Sequence, residues 1–195
     1  MTSELEGKWA LVTGATQNLG RVIATQFARQ GARVIVHGIT GAEEVAEALA
    51  DEVGSSDILG VSFDLADPDG IRDGFAELAA RGVGLDVLVN NAAHLGLEDT
   101  DPLESTPELF RRVLEVNVFG THLCSVLAPR SMAARGRGAV AWLSVDALDN
   151  EPARFLKYVT AALHRVDPAI AANAESLIDS SPITPVDSIL TALVN

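Results

Sequence analysis

The stretch that decides the fold is Lys8-Trp-Ala-Leu-Val-Thr-Gly-Ala-Thr-Gln-Asn-Leu-Gly20. Its apolar run Trp9 to Val12 predicts a strand, Thr13-Gly14 predicts a tight turn, and a helical pattern of apolar residues opens at Leu19-Gly20. Free amides at the start of a helix, together with the helix dipole, favour a bound anion. Both glycines stand where a side chain would obstruct the approach of that anion. Taken alone, the pattern also fits a strand-to-helix turn that binds nothing.

Composition limits the possible partners. A chain of 195 residues with 48% hydrophobic residues and a mean hydropathy of +0.22 predicts a single folded domain over 1–195. The net charge of -13 repels nucleic-acid phosphate, so we expect no nucleic-acid partner. No apolar stretch is long enough for a membrane span and residues 1–6 lack the pattern of a signal peptide, which predicts a cytoplasmic protein.

Metal chemistry and thiol chemistry are not expected. Cys124 is the only cysteine, which excludes an internal disulfide and a cysteine-based metal cluster. Its apolar neighbours predict a buried helix residue rather than a nucleophile. The acidic residues of the segment 98–101 have no histidine at ligand spacing, so they predict a solvated loop and no metal site.

Strands and helices alternate along the first 145 residues. Further strands are predicted at Arg33–Val36, Ile58–Phe63, Leu85–Val89 and Ala139–Leu143, and helices at Ala42–Val53 and Gly70–Arg81. A long helix begins with Ser105 or Thr106 as its N-cap and Pro107 in its first turn, and it continues past Pro129 with a kink or break there. The pattern predicts an α/β fold, a Rossmann-like doubly wound parallel sheet with helices on both faces, followed over 146–195 by a helical segment.

The segment from Thr13 to Gly20 resembles the Thr-Gly-x-x-x-Gly-x-Gly cofactor loop of the short-chain dehydrogenase/reductase family, with Asn18 in place of the middle glycine. Asparagine tolerates left-handed backbone, so the turn can survive this change. Four further motifs follow in the family's order, and the resemblance covers residues 1–145. These motifs are Asp64 in Val-Ser-Phe-Asp-Leu, Asn90-Asn-Ala-Ala93, Asn117 in Glu-Val-Asn-Val-Phe-Gly-Thr, and Ser144 after the fifth strand.

The resemblance implies that a nicotinamide dinucleotide, NAD or NADP, is the cofactor. Family members that use NAD carry an acidic residue at the end of the second strand, and NADP users carry a basic one there or in the glycine loop. Here the strand ends His37-Gly38-Ile39-Thr40. The missing acid removes repulsion of a 2'-phosphate, and Thr40 or neutral His37 could hydrogen-bond it, which favours NADP. The other implied cofactor residues are Gly14, Gln17, Asn18, Leu19, Gly20, Asp64, Leu65, Asn90 and Ala92.

The resemblance also implies three catalytic residues. Asn117 lies mid-helix, where its amide either bonds back into the helix or acts as the family's catalytic asparagine, which opens the helix locally and holds a water in a proton relay. Ser144 corresponds to the serine that hydrogen-bonds the substrate carbonyl. Tyr158, fourteen residues further on, corresponds to the proton-donating tyrosine, although an ordinary amphipathic tyrosine fits the pattern equally well.

The family's lysine, one helical turn after the tyrosine, is replaced by Ala162. Lys157, His164 and Arg165 do not share the face of Tyr158 at contact distance on a regular helix. A phenol without a cationic neighbour has a pKa near 10, as a general rule. Such a tyrosine could donate a proton in reduction but would be a poor base for oxidation at neutral pH.

These observations lead to two hypotheses. The first is an NAD(P)H-dependent oxidoreductase that transfers a hydride to or from the carbonyl or alcohol of a small organic substrate. The alternative is a family-derived nucleotide-binding protein without redox turnover, with an accessory role or non-redox chemistry. The family's later strands and substrate lid are not recognisable here, which suggests an atypical short member.

A sheet of five strands in the order 3-2-1-4-5 then follows, and the fifth strand becomes an edge. An uncovered apolar edge invites pairing. We therefore expect the terminal helices or a second subunit to cover it, and we predict a homodimer or a higher homo-oligomer. The long helix around Asn117 is the second candidate interface, as in the family.

Overall fold

The structure, a computed structural model, describes residues 5–94, 105–136 and 138. Residues Gly7–Gly138 form one compact unit. The predicted fifth strand, the helical segment 146–195 and the single domain over 1–195 involve residues outside those ranges, so they stay predictions. The described strands are β1 (Trp9–Val12), β2 (Arg33–Gly38), β3 (Ile58–Ser62) and β4 (Leu85–Val89). The helices are α1 (Asn18–Arg29), α2 (Ala42–Val53), α3 (Pro68–Ala80), α4 (Pro107–Leu114) and α5 (Thr121–Ala134), with a π-helical turn at Glu115–Gly120 between α4 and α5.

The four described strands form a parallel sheet in the order β3-β2-β1-β4. The chain first moves outward from β1 to β3 and then crosses back to β4. Because crossovers are right-handed, α1 and α2 lie on one face of the sheet and α3 lies on the other. The contacts of α1 with α2, and of α3 with α5, agree with this arrangement. The doubly wound sheet predicted from the sequence is confirmed, and its strand order reverses between β1 and β4, where folds of this kind bind ligands.

The two faces of the sheet are buried by side chains of different size. Leu11 and Ile35 join the large apolar cluster beneath α3 and α5, which includes the fully buried Cys124. The alternate residues of the same strands, such as Ala10 and Val34, face the other side, because side chains alternate along a strand. Burial raises the pKa of the Cys124 thiol to about 12, which agrees with its predicted place in the core.

Local capping explains where the structure departs from the predicted helix ends. The helix α3 starts at Pro68 rather than Gly70, because the Asp67 side chain accepts a hydrogen bond from the Asp69 amide at 3.0 Å. Of the two predicted N-caps of α4, Ser105 and Thr106, the structure uses Thr106, whose hydroxyl accepts a hydrogen bond from the Leu109 amide at 3.2 Å. The helix α5 continues through Pro129 to Ala134, and the interruption of regular α geometry lies instead at the π-helical turn.

Candidate functional site

The loop after β1 passes against the turn after β4 with only backbone between them. The φ of Gly14 is +64°, and a Cβ added there would lie 2.8 Å from the Ala92 Cα. A Cβ added to Gly20 would overlap the Gly14 carbonyl oxygen and lie 2.5 Å from Asn91 Nδ2. Three chain segments therefore meet so closely that a side chain at either glycine has no room.

The first turn of α1 presents unused amides at the carboxyl edge of the sheet. Asn18 has a φ of +48° and is the one non-glycine residue of the described ranges with a positive φ. Asn18 therefore adopts the left-handed backbone conformation that asparagine was expected to tolerate. Gln17 is the extended N-cap and makes no side-chain capping bond. The amides of the first turn have no intrahelical partner, and Leu19 beside them is 57% exposed.

Hydrogen bonds of Thr13 and Asn91 hold the loop of residues 13–20, here called the glycine loop, against the end of β4. The Thr13 hydroxyl accepts hydrogen bonds from the Asn91 amide at 3.0 Å and the Ala92 amide at 3.1 Å, and it donates to the Val89 carbonyl at 3.3 Å. The Asn91 Nδ2 donates to the carbonyls of Thr13 at 3.0 Å and Gly14 at 3.2 Å. Asn90 and Ala92 were predicted to be site residues from the sequence and Asn91 was not, although the side chain of Asn91 holds the loop in place.

Asn90 joins β4 to α5. Its Nδ2 donates to the Ser125 hydroxyl at 2.9 Å, and that hydroxyl donates to the Thr121 carbonyl at 2.7 Å. Asn90 is exposed at the carboxyl end of β4, next to the loop. Its side-chain oxygen is thus left at the edge of the sheet that the glycine loop occupies.

The side chain of His37 is bonded inside the protein and does not make the predicted contact with a 2'-phosphate. Its ring is buried, with 1% exposed. Its Nε2 lies 3.0 Å from the Phe63 carbonyl oxygen, and its Nδ1 accepts a hydrogen bond from the Gly14 amide at 3.2 Å. Both ring nitrogens are used inside the protein, so the predicted phosphate contact is corrected: of the two candidates, only Thr40, which is exposed, can reach a ligand.

Asp64 ends the third strand region as predicted, and it forms an ion pair with Arg112 of α4 at 2.6 Å. Its other carboxylate oxygen accepts a hydrogen bond from the Ala66 amide at 2.9 Å. Partial burial raises the pKa of Asp64, but the Ala66 amide and the Arg112 guanidinium outweigh it and hold this pKa below its usual range. Leu65 is buried, and Gly120 of the π-helical turn packs directly on the Leu65 carbonyl, where a Cβ would overlap.

Asn117 lies within the π-helical turn and bonds to the segment after β4. Its Oδ1 accepts a hydrogen bond from the His94 amide at 2.7 Å, and its Nδ2 donates to the His94 carbonyl at 3.0 Å. The side chain therefore makes no bond back into its own helix, which removes one of the two alternatives. The local opening of the helix at Asn117 is present, and the catalytic role of this residue stays a prediction.

Two of the three predicted catalytic residues, Ser144 and Tyr158, lie outside the described residues, as does Ala162. Among residues 5–94 and 105–136, no group of histidine, cysteine, aspartate or glutamate side chains could hold a metal ion. Within the same ranges, no helix is long and apolar enough to cross a bilayer.

The glycine loop, the Asn90–Ala92 turn and Asn117 all fall within one sequence match. The family model described as short chain dehydrogenase matches residues 8–164. The chain belongs to the short-chain dehydrogenase family. This match includes Ser144 and Tyr158, and the resemblance read from the motifs is confirmed.

Relatives of this short-chain dehydrogenase include proteins named as a sorbitol dehydrogenase and an L-rhamnose-1-dehydrogenase. A sorbitol dehydrogenase of Cereibacter sphaeroides is 39% identical over 135 residues, which are 69% of this chain and 50% of the relative. The chain thus spans about half the length of this curated relative.

Solved structures show the same partial coverage. L-sorbose reductase of Gluconobacter frateurii, in complex with NADPH and L-sorbose, is 28% identical with a TM-score of 0.63, over 71% of this chain and 52% of that one. A gluconate 5-dehydrogenase of Burkholderia cenocepacia, in complex with NADP and tartrate, is 30% identical with a TM-score of 0.57, over 69% and 52%.

Replacement of Arg112 tests the ion pair at the end of β3 in this short-chain dehydrogenase. We expect Arg112→Gln to lower the free energy of unfolding by about 0.5 to 1 kcal/mol at neutral pH, because both partners are partly exposed. Urea denaturation measures the change. The loss should shrink in high salt, and it should vanish as the pH falls through the lowered pKa of Asp64, where the carboxylate is neutral.

Arg72→Gln is the matched control. Arg72 and Asp69 form an ion pair of the same 2.6 Å length, but their side chains are 56% and 89% exposed, against 39% and 31% for Arg112 and Asp64. We expect the control to cost clearly less. Equal costs for the two variants would show that the Arg112 pair is only a solvated surface contact.

Proposed function

We propose that this chain is an NAD(P)H-dependent oxidoreductase that transfers a hydride between the cofactor and the carbonyl or alcohol carbon of a small organic substrate. The observation that carries the proposal is the glycine loop. Backbone fills the space that a Cβ at Gly14 or Gly20 would occupy, and the uncapped first turn of α1 lies beside it at the carboxyl edge of the sheet. Amides in this position suit a pyrophosphate.

The proposed cofactor contacts follow the carboxyl edge of the sheet. The loop residues Gly14, Gln17, Asn18, Leu19 and Gly20 would hold the pyrophosphate. Asp64, just beyond the end of β3, would contact the adenine, with the backbone of the buried Leu65 beside it, and Asn90 and Ala92 would line the cofactor at the end of β4. This order matches the order of the strands, β3-β2-β1-β4, so the contacts would run along one edge.

The bound cofactor would supply the hydride to the carbonyl carbon, and the chain's own residues would manage the proton. We assign to Ser144 the hydrogen bond to the substrate oxygen and to Tyr158 the donation of a proton to that oxygen. Asn117, held by its two bonds to His94, would anchor the proton relay. With Ala162 in place of the family's lysine, the phenol should serve carbonyl reduction better than alcohol oxidation at neutral pH.

Turnover tests the proposal. We expect NADPH consumption with at least one ketone, aldehyde or keto-sugar in a panel, and loss of that turnover in Tyr158→Phe, whose binding of NADPH should remain. Saturable NADPH binding without turnover across the panel would instead favour the second candidate, a nucleotide-binding relative without redox chemistry. The absence of the lysine at position 162 is the observation that favours this second candidate.

We infer a preference for NADP over NAD from the end of β2. The residues Gly38, Ile39 and Thr40 carry no acid that would repel a 2'-phosphate. The NADPH and NADP complexes of the two related structures support the same choice. Thr40, exposed just beyond the strand, is the proposed hydrogen-bond donor to the phosphate.

The substitution Ile39→Arg should strengthen this preference. Ile39 is 61% exposed beside Thr40, and a guanidinium there could pair with the 2'-phosphate, so we expect NADPH to bind about tenfold more tightly relative to NADH. Calorimetric titration with both cofactors measures the ratio. Ser56→Arg, exposed at the opposite edge of the sheet, adds the same charge and should leave the ratio unchanged. An equal change in both variants would contradict the placement of the phosphate.

We also propose a homodimer that uses the long helix. Three large apolar side chains are exposed on α4 and the π-helical turn, namely Phe110 (60%), Val118 (51%) and Phe119 (64%). Large apolar side chains that stay exposed on one helical stretch are candidates for an interaction surface. Size-exclusion chromatography with light scattering at tens of micromolar should show a dimer, and Phe119→Glu should shift it towards the monomer. A wild-type monomer under these conditions would contradict the proposal.

A further inference from the structure

His37 contacts the glycine loop through both its side chain and its backbone. The Phe63 carbonyl can only accept a hydrogen bond, so the Nε2 at 3.0 Å must carry a proton. In the neutral ring, Nδ1 then has a free lone pair, and it accepts the Gly14 amide at 3.2 Å. One tautomer therefore satisfies both bonds. In addition, the carbonyl of His37 accepts the Ala15 amide at 2.8 Å.

These bonds fix the two peptide planes on either side of the Gly14 Cα. The ring holds the Thr13–Gly14 peptide through the Gly14 amide, and the His37 carbonyl holds the Gly14–Ala15 peptide through the Ala15 amide. The carbonyl of the second peptide, that of Gly14, accepts a hydrogen bond from Asn91 Nδ2 and packs against Gly20. Loss of the bond to Nδ1 would free Gly14 to change its φ, and its carbonyl would then press against the first turn of α1. The orientation of the unused amides of that turn thus depends on an acceptor at the position of His37 Nδ1.

We propose that His37 is a positioning residue for dinucleotide binding: its Nδ1 holds the Gly14 amide and thereby sets the first turn of α1, and protonation of the ring releases it. This inference rests on the proposed function in one respect: it names a dinucleotide as the ligand whose binding the His37 contact strengthens. A protonated Nδ1 would be a second donor facing the Gly14 amide. The hydrogen bond from the Gly14 amide to His37 Nδ1, called the latch below, therefore breaks when the ring gains a proton.

Burial, and not the charges around it, keeps the ring of His37 neutral at ordinary pH. Burial lowers the pKa of His37 to about 4, against the opposing effects of the Phe63 carbonyl and the Asp64 carboxylate. Asp64 is itself paired with Arg112, and the loop side, Gly14 to Gln17, carries no charged side chain. On the side of α2, the Glu43 carboxylate accepts a hydrogen bond from Ser62. Near neutral pH the latch is therefore closed.

Two substitutions separate the two ring nitrogens. An asparagine amide reaches about as far as His Nδ1, so His37→Asn keeps an acceptor for Gly14 and loses the bond to Phe63. A glutamine amide reaches about as far as Nε2, so His37→Gln keeps the bond to Phe63 and loses the acceptor. We expect NADPH to bind His37→Gln about tenfold more weakly than wild type, and His37→Asn to recover most of that affinity.

Nuclear magnetic resonance of the protein without dinucleotide tests the latch itself. We expect the wild-type ring to be protonated at Nε2 and not at Nδ1, and the Gly14 amide to exchange with solvent faster in His37→Gln than in His37→Asn. An Nδ1-protonated tautomer, equal exchange in the two variants, or equal NADPH affinity in both would overturn the proposal. If the latch is observed while wild type binds no dinucleotide, the proposed function fails and the latch stands.

Discussion

Gly14→Ala is expected to lower the free energy of unfolding by roughly 3 kcal/mol and to abolish dinucleotide binding. Alanine in the left-handed region costs about 1 kcal/mol or somewhat more. The larger part of the loss comes from the close approach, because the new Cβ would lie 2.8 Å from the Ala92 Cα and such overpacking costs about 1 to 3 kcal/mol. Urea denaturation and titration with NADPH measure the two effects.

Gly54→Ala is the matched control for this prediction. The φ of Gly54 is +68°, close to the +64° of Gly14, but nothing lies within 4 Å of an added Cβ. The control carries the backbone strain without the steric overlap, so we expect a loss of about 1 kcal/mol and unchanged binding of NADPH. Similar losses of stability and binding in the two variants would show that Gly14 is needed for its backbone angle alone.

The second large effect is the pH dependence that the buried His37 creates. The unfolded chain binds a proton at this ring below about pH 6.5, whereas the folded protein resists it until about pH 4. The free energy of unfolding should therefore fall as the pH drops from 6.5 towards 4, by about 3 kcal/mol in all, and this contribution should level off below pH 4. Urea denaturation between pH 7.5 and 4.5 covers most of this window.

Substitution isolates the contribution of His37 from that of the carboxylates. His37→Asn should lower stability at neutral pH through lost packing, but it should remove the fall between pH 6.5 and 4. His122→Asn replaces an exposed histidine of α5 and should leave the fall in place. A wild-type fall of unchanged size in His37→Asn would assign it to other groups. The lowered pKa of Asp64 acts in a different window, because its stabilisation is lost only below about pH 4.

Features that depend on neighbouring residues in the sequence were predictable. The helix α2 and the strand β4 have the predicted bounds, Ala42–Val53 and Leu85–Val89, because an apolar period and flanking turn residues define each of them. The need for glycine at positions 14 and 20 was also predictable, since a strand, a tight turn and a helix N-terminus in immediate succession leave little space. Local chemistry alone supports these predictions.

Features that depend on contacts between residues far apart in the sequence were not predictable. Asn91 bonds to residues 77 and 78 positions away, and Arg112 meets Asp64 across 48 positions, so no local pattern marks either side chain. The ring of His37 reads as a polar residue at a strand end, and only the fold shows that Gly14 and Phe63 enclose it. The long helix keeps its α geometry at Pro129 and loses it at Glu115–Gly120, where Asn117 bonds to His94 instead of its own helix.

The central claim is that the amides of the first turn of α1 bind the pyrophosphate of a dinucleotide. Isothermal titration of the wild-type chain with NADPH and with NADH, repeated with Gly14→Ala and Gly54→Ala, tests it most directly. We expect saturable binding with one site per chain, tighter for NADPH than for NADH, which is kept in Gly54→Ala and lost in Gly14→Ala. No heat of binding and no rise in melting temperature with either cofactor in the wild-type protein would contradict it.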